Sequence, residues 1–155
     1  MGYETWYNDP GMLEPYRIAE VLGGPSVLGR PVGSLLDLSR TVEHGLPKSS
    51  LRRAVARLFP GPAEQRRIMY RIVPEATYKR RRERLSPAES ERTERLARVI
   101  AGAEYVWQNA EDARRFLLAP HPELDGKAPL DAAMTELGAR QVEQVLANIL
   151  YGLAA

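Results

Sequence analysis

Between Lys48 and Arg84 the chain carries twelve Lys or Arg residues against three acids, Glu64, Glu75 and Glu83, a local charge of +9. Its densest part is Thr77-Tyr78-Lys79-Arg80-Arg81-Arg82. Guanidinium and ammonium groups neutralise phosphate, and the Arg fork also pairs with base edges. The chemistry on offer is therefore recognition of a polyanion rather than bond making, with nucleic acid the most direct candidate. The charge is local. Residues 1–47 carry three Arg against six acids, residues 85–155 carry seven bases against eleven acids, and the whole chain is only +2. An acidic C-terminal part beside a basic middle implies two functions in one chain.

Residue types needed for catalysis are missing or misplaced. Cysteine is absent, which excludes thiol nucleophiles, disulfides and Cys-based zinc sites. His44 and His121 are the only histidines, and no HExxH pattern contains them. His44 is expected to end a helix, where its partial charge suits the dipole; His121, between Pro120 and Pro122, is expected in a loop. Gly24 and Gly29 in GGPSVLGR suggest a phosphate loop, but Arg30-Pro31 stand where the Lys and the Ser/Thr are needed. Glu111-Asp112 fits a helix N-terminus better than an acid/base pair. No GxSxG elbow occurs. We expect no catalytic residue, metal or cofactor, and no enzyme.

The elements that position these residues are helical. Hydrophobic residues make up 44% of the 155 and charged residues 27%, enough for a folded core. No segment alternates with period two for long, so the expected class is all-α. No apolar run reaches the ~18 residues of a membrane span. The start MGYETWYNDPGMLEP lacks an export signal's basic and apolar pattern, so a cytoplasmic protein is expected. Residues 1–33 read as an N-terminal arm with Tyr3, Trp6, Tyr7 and Tyr16, one short helix bracketed by Pro15 and Gly23, and a Gly/Pro-rich run.

Residues 34–84 read as four short helices that must pack together, since none is long enough to stand alone. Leu51, Val55 and Leu58 mark one buried face; Ile68, Met69 and Ile72 mark the next. The last two resemble a helix-turn-helix. One helix ends near Arg71, Val73-Pro74 turns the chain, and Pro74 opens the second. That geometry brings Thr77, Tyr78, Lys79, Arg80, Arg81 and Arg82 toward phosphates and base edges. At 100° per residue only two or three of them share a face. Arg71 and Ile72 stand where such motifs often have Gly.

In residues 85–155, Ser86-Pro87-Ala88-Glu89 is a capping-box start. It opens a helix to about Trp107 with Leu96, Val99, Ile100, Ala103 and Val106 on one face. Asn109 and Asp112 begin another, HPELDGKAP is a loop, and the last helix spans Thr135 to Tyr151, ended by Gly152. Val142 and Val145 read as core, and Ile149 onward as surface.

This region resembles the Xre/MbcA/ParS-type antitoxin family. The matching residues are RLSPxES at 84–90, ERxxRLARV at 91–99 and Trp107. They continue with ARRFL at 113–117, the loop from Pro120 to Leu130, GARxVExxL at 138–146 and the YGLAA tail at 151–155. Residues 34–84 are similar to the family's Xre-like DNA-binding portion. The resemblance implies an all-α protein in which a helix-turn-helix bundle is joined by a long helix to a small helical toxin-binding domain. It implies a homodimeric antitoxin that represses its own operon and whose C-terminal domain blocks the NAD-binding cleft of a RES-domain toxin, an enzyme that degrades NAD or transfers ADP-ribose. Ile149, Leu150, Tyr151, Gly152, Leu153, Ala154 and Ala155 are the candidate toxin contacts, and Phe116, Leu117 and Pro120 are candidates either for the rim of that surface or for the core. A stand-alone helix-turn-helix regulator would share the basic helix but lack a dedicated toxin surface, and an interaction protein with a vestigial DNA-binding half would show little salt-dependent DNA affinity.

Overall fold

The computed structural model describes Gly11, Met12 and residues 14–152; Tyr3, Trp6, Tyr7, Leu153, Ala154 and Ala155 lie outside the described residues. The described residues are helical, with no strand longer than a single bridge. None of their helices is long and apolar enough to cross a membrane. Two compact units divide at Glu14/Pro15 and Ala97/Arg98.

The unit Pro15–Ala97 contains α1 (Pro15–Val21), α2 (Gly24–Leu28), α3 (Leu35–His44), α4 (Lys48–Ala56), α5 (Pro62–Ile72), α6 (Glu75–Arg80) and the first half of α7 (Pro87–Trp107). Residues 15–33, read from sequence as part of an arm, are built into this unit. α1 packs on α2, α3 and α4, burying Ile18, Val21, Leu22, Leu28 and Val32. The Gly/Pro-rich run forms α2, with Gly23 and Gly24 at φ of 115° and 72° turning the chain sharply between two short helices. The expected apolar faces of α4 and α5 are buried.

Local signals fix the helix ends. Ser34 Oγ accepts from the Asp37 N–H at 3.0 Å to start α3, and His44 ends it. At α7 the expected capping box is complete: the Ser86 N–H donates to Glu89 Oε1 at 2.9 Å, and the Glu89 N–H donates to Ser86 Oγ at 3.2 Å. Glu89 is 5% exposed and also accepts two bonds from Arg81, at 3.0 and 2.8 Å. The Arg81 bonds, helped by those from Ser86, hold its carboxyl down at about 2, against the desolvation that would raise it. Arg92 Nε caps the C-terminus of α5 through the Ile72 carbonyl at 2.8 Å.

Among the described residues, the other unit joins Gly11, Met12 and Glu14 to residues 98–152. Its helices are the second half of α7, α8 (Ala110–Leu118), α9 (Pro129–Ala132) and α10 (Glu136–Tyr151), with a 3-10 turn at Pro122–Leu124. Asn109 Oδ1 caps α8 through the Asp112 N–H at 2.9 Å. Thr135 Oγ1 caps α10 through the Gly138 N–H at 3.0 Å. α9 packs on both α8 and α10. Gly102 lets α7 approach α10: a Cβ there would sit 3.3 Å from Leu146 Cδ1. A Cβ on Gly138 would overlap the Ala132 carbonyl. Arg98 donates to Glu143 at 3.2 Å and to both Glu136 oxygens at 3.0 and 3.1 Å. Burial raises the Glu143 carboxyl above its ordinary value, with Arg98 opposing the shift.

Two predictions follow from these contacts. Gly138→Ala is expected to destabilise the second unit by about 2 kcal/mol or more, because backbone rather than a flexible side chain must give way; unchanged thermal unfolding would contradict the close approach. Glu89 titrates lower in the folded chain than its ordinary 4.5. Its stabilisation is therefore present above that value and lost as pH falls toward 2. Urea unfolding across this range is expected to show the wild type losing about 2–3 kcal/mol that Glu89→Gln does not lose. Parallel pH profiles for the two would contradict the charged pair.

Candidate functional site

The helix-turn-helix is α5, an extended turn at Val73 (φ −132°, ψ 117°) and Pro74 (φ −52°, ψ 145°), and α6. Pro74 stands just before the helix, where its missing N–H leaves no bond unmade. α6 is only six residues long, so its direction is set by what it packs on.

Tyr78 provides that packing. The sequence reading placed it among the DNA contacts; the structure buries it to 5% exposure. Its ring meets Tyr70 edge-on at 6.3 Å and lies beneath the Lys48 ammonium at 4.4 Å. Its hydroxyl donates to the Lys48 carbonyl at 3.3 Å. On an α-helix a residue two before, one after or two after Tyr78 points largely away from it. Ala76, Lys79 and Arg80 are accordingly exposed, and Thr77 is half-buried on the flank.

The expected helix through residue 84 stops at Arg80. Arg81 turns extended (φ −66°, ψ 136°), and its guanidinium points back to Glu89 in a two-pronged pair. Arg81 is thus a structural residue, the second correction to the DNA-contact set. The chain then runs antiparallel to the start of α4. The Lys48 N–H donates to the Glu83 carbonyl at 2.9 Å, and the Leu85 N–H donates to the Leu46 carbonyl at 2.8 Å. Arg84 reaches the Gly45 carbonyl at 2.9 Å. These bonds, together with the Arg81–Glu89 pair, replace further helix in which successive cations would repel. Arg82 is left exposed beside the end of α6.

The exposed cations of the motif are therefore Lys79, Arg80 and Arg82, with Arg66, Arg67 and Arg71 exposed on α5. Lys79 bonds Glu75 one turn back at 2.7 Å; that bond raises its pKa, and the nearby Arg66 charge opposes the rise. Arg66 and Lys79 thus share one electrostatic surface across the turn. The sequence reading counted Arg66 and Arg67 in the basic block but not as contacts, since nothing in their spacing tells which way α5 faces.

In the C-terminal unit, α10 buries Val142, Val145 and Leu146 and leaves Ile149 37% exposed. Leu150 and Tyr151 are half-buried. Gly152 ends the helix at φ 67°, its N–H bonded to the Asn148 carbonyl. Leu117, offered as a toxin contact, is 1% exposed. It follows Ala113 by one turn on the inward face of α8, so it is core, and Leu118 is the exposed member of the pair. Phe116 is half-buried, 6.0 Å from Trp107 and 5.9 Å from His121 between ring centroids. His121 Nδ1 accepts from the Glu123 N–H at 3.1 Å, so its ring starts the 3-10 turn rather than serving chemistry. Pro120 is exposed beside it. Trp107 and Leu137 are further exposed apolar side chains that the sequence reading did not assign to a surface.

With both halves in place, comparison with known families is specific. Residues 37–98 match the family model described as the antitoxin Xre-like helix-turn-helix domain. Residues 102–152 match the one described as the antitoxin Xre/MbcA/ParS C-terminal toxin-binding domain. No curated protein matches the chain. A helix-turn-helix with an exposed basic face, followed by a toxin-binding domain, makes this an antitoxin of the type II kind, and the chain belongs to the Xre/MbcA/ParS antitoxin family.

Proposed function

We propose that this antitoxin neutralises a RES-domain toxin by occluding its NAD-binding cleft, and that it represses its own operon as a homodimer in the cytoplasm. The DNA contacts fall in residues 34–84, supported by the first half of α7, and the toxin contacts in the C-terminal part of residues 85–155, with residues 1–33 preceding both. The observation that carries the reading is the end of α10. Its apolar stripe is core through Leu146, yet Ile149 is exposed in the last turn, just before the Gly152 cap. An exposed apolar side chain on the last turn of a capped helix suits insertion into a cleft. The acidic balance of residues 85–155 complements a cleft that must bind the phosphates of NAD. On this reading Phe116, Pro120, Ile149, Leu150 and Tyr151 through Ala155 meet the toxin, while Thr77, Lys79, Arg80 and Arg82 meet DNA.

Co-expression tests the toxin half. A chain truncated after Leu150 is expected to fold and bind DNA as before but to fail to restore growth and cellular NAD when the neighbouring RES-type gene is expressed. Full rescue by the truncated chain would remove the tail from the mechanism. For the DNA half, Arg80→Ala and Arg82→Ala are each expected to weaken operator binding and to flatten its log–log salt dependence by about 0.9. Arg81→Ala is expected instead to lower thermal stability. An unchanged salt slope in Arg80→Ala and Arg82→Ala would exclude the assigned phosphate contacts.

A further inference from the structure

Lys48 breaks a local rule. It is the first residue of α4, where no acidic residue occupies the first turn, and a cation there opposes the helix dipole. It also stands in the most basic part of the chain. Its side chain does not point out toward a polyanion. The ammonium lies 4.4 Å from the centre of the buried Tyr78 ring and donates to the Arg81 carbonyl at 2.9 Å, the residue that ends α6. Its backbone holds two more points: its carbonyl accepts from the Tyr78 hydroxyl, and its N–H donates to the Glu83 carbonyl. One residue of α4 thus grips α6 at its ring, its C-terminal carbonyl and the segment after it.

The neighbouring backbone is shaped for this grip. Gly45 has φ 98°, and a Cβ there would lie 2.6 Å from the Leu85 carbonyl oxygen, so only glycine allows residues 45–48 to lie along 83–85. A six-residue helix has little intrinsic stability. A cation placed at its C-terminus and over an aromatic face is favourable on both counts.

We infer that Lys48 and Tyr78 form a clamp that sets the orientation of the recognition helix: they are positioning residues for DNA recognition, and neither touches DNA. This rests on the DNA-binding role of the helix-turn-helix. Sequence discrimination needs side chains aimed to a fraction of a contact distance, whereas non-specific attraction needs only their charge. Loosening the clamp should therefore lower specificity while leaving the electrostatics intact.

The test uses the full chain and two probes, a duplex covering the region upstream of its own gene and a mixed-sequence duplex of equal length, across a salt series. Lys48→Met is expected to weaken binding to the upstream duplex about tenfold, with unchanged salt slope and unchanged affinity for the mixed duplex. Lys48→Arg, which keeps a cation over the ring, is expected to restore most of the preference. Hydrogen exchange should show the α6 amides losing protection while those of α5 keep theirs. A slope flatter by about 0.9 on both duplexes would make Lys48 a phosphate ligand and overturn the clamp. Unchanged affinity for the upstream duplex would overturn it too. If wild type shows no preference for the upstream duplex, operator repression falls, and α6 exchange alone decides: unchanged protection in Lys48→Met refutes the clamp. Should Lys48→Met not fold, Tyr78→Phe, which removes the hydroxyl's bonds to the Lys48 carbonyl and from Arg52 but keeps the ring under the ammonium, is expected to lower the preference about threefold, and no loss there would refute the clamp.

Discussion

A buried carboxylate organises the DNA-binding unit. Glu89 sits in the first turn of α7, accepts the Ser86 N–H and takes both prongs of Arg81. An ionised group so far out of water is tolerable only when its lone pairs are used, and here the helix N-terminus and a guanidinium use them. The consequences run in two directions. Downstream, α7 begins at a fixed place and runs on to Trp107. Upstream, Arg81 is drawn out of helical conformation, so the basic run divides. Lys79 and Arg80 stay on α6, Arg82 projects beyond it, and residues 83–85 turn to pair with the start of α4. The position of the recognition surface is thus tied to a single acid that shows no functional chemistry of its own.

Much of this architecture is legible in the sequence because it is written in short-range signals. Ser86 with Glu89, Asn109 with Asp112, and Thr135 ahead of α10 are caps whose chemistry acts within four residues. Leu51, Val55 and Leu58, or Val142 and Val145, are spaced by the helical period and are buried as expected. The failures have a common cause. Tyr78 and Arg81 look like DNA ligands in a string of cations, but each is claimed by a residue distant in sequence or structure: Tyr78 by Lys48 thirty positions earlier, Arg81 by the buried Glu89. No periodicity encodes such a claim. Leu117 and Leu118 are chemically equal in sequence, and only the register of α8 against its unit separates core from surface. The short helix after Gly23 was not assigned from the Gly/Pro-rich run, whose glycines serve as the turn between two helices.

The charge pattern divides in the same way. The +9 of residues 48–84 is not a uniform basic helix; part of it is spent inside the fold. Arg81 and Arg84 hold backbone or carboxylate, and Lys48 holds an aromatic ring and a carbonyl. What remains outward lies on α4 and just after it, at Arg52, Arg53 and Arg57, as well as on α5, α6 and Arg82. Such a surface supplies general attraction to phosphate, and sequence recognition depends on how its base-facing side chains are oriented. The C-terminal unit, by contrast, leaves isolated apolar side chains exposed, Ile149, Trp107, Leu118 and Leu137, on a scaffold stiffened by the Arg98 network. Rigid support under a few exposed apolar groups is what tight protein recognition requires.

The claim at the centre of this account is that toxin inhibition is occlusion of a cleft rather than capture at a distance. Titrating a purified RES-domain toxin, the proposed partner, with the full chain, while following NAD consumption, addresses it directly. NAD turnover should fall in proportion to complex formation and vanish at saturation, with NAD and the chain competing for the toxin. A stable complex that still turns over NAD at the rate of the free toxin would contradict the account.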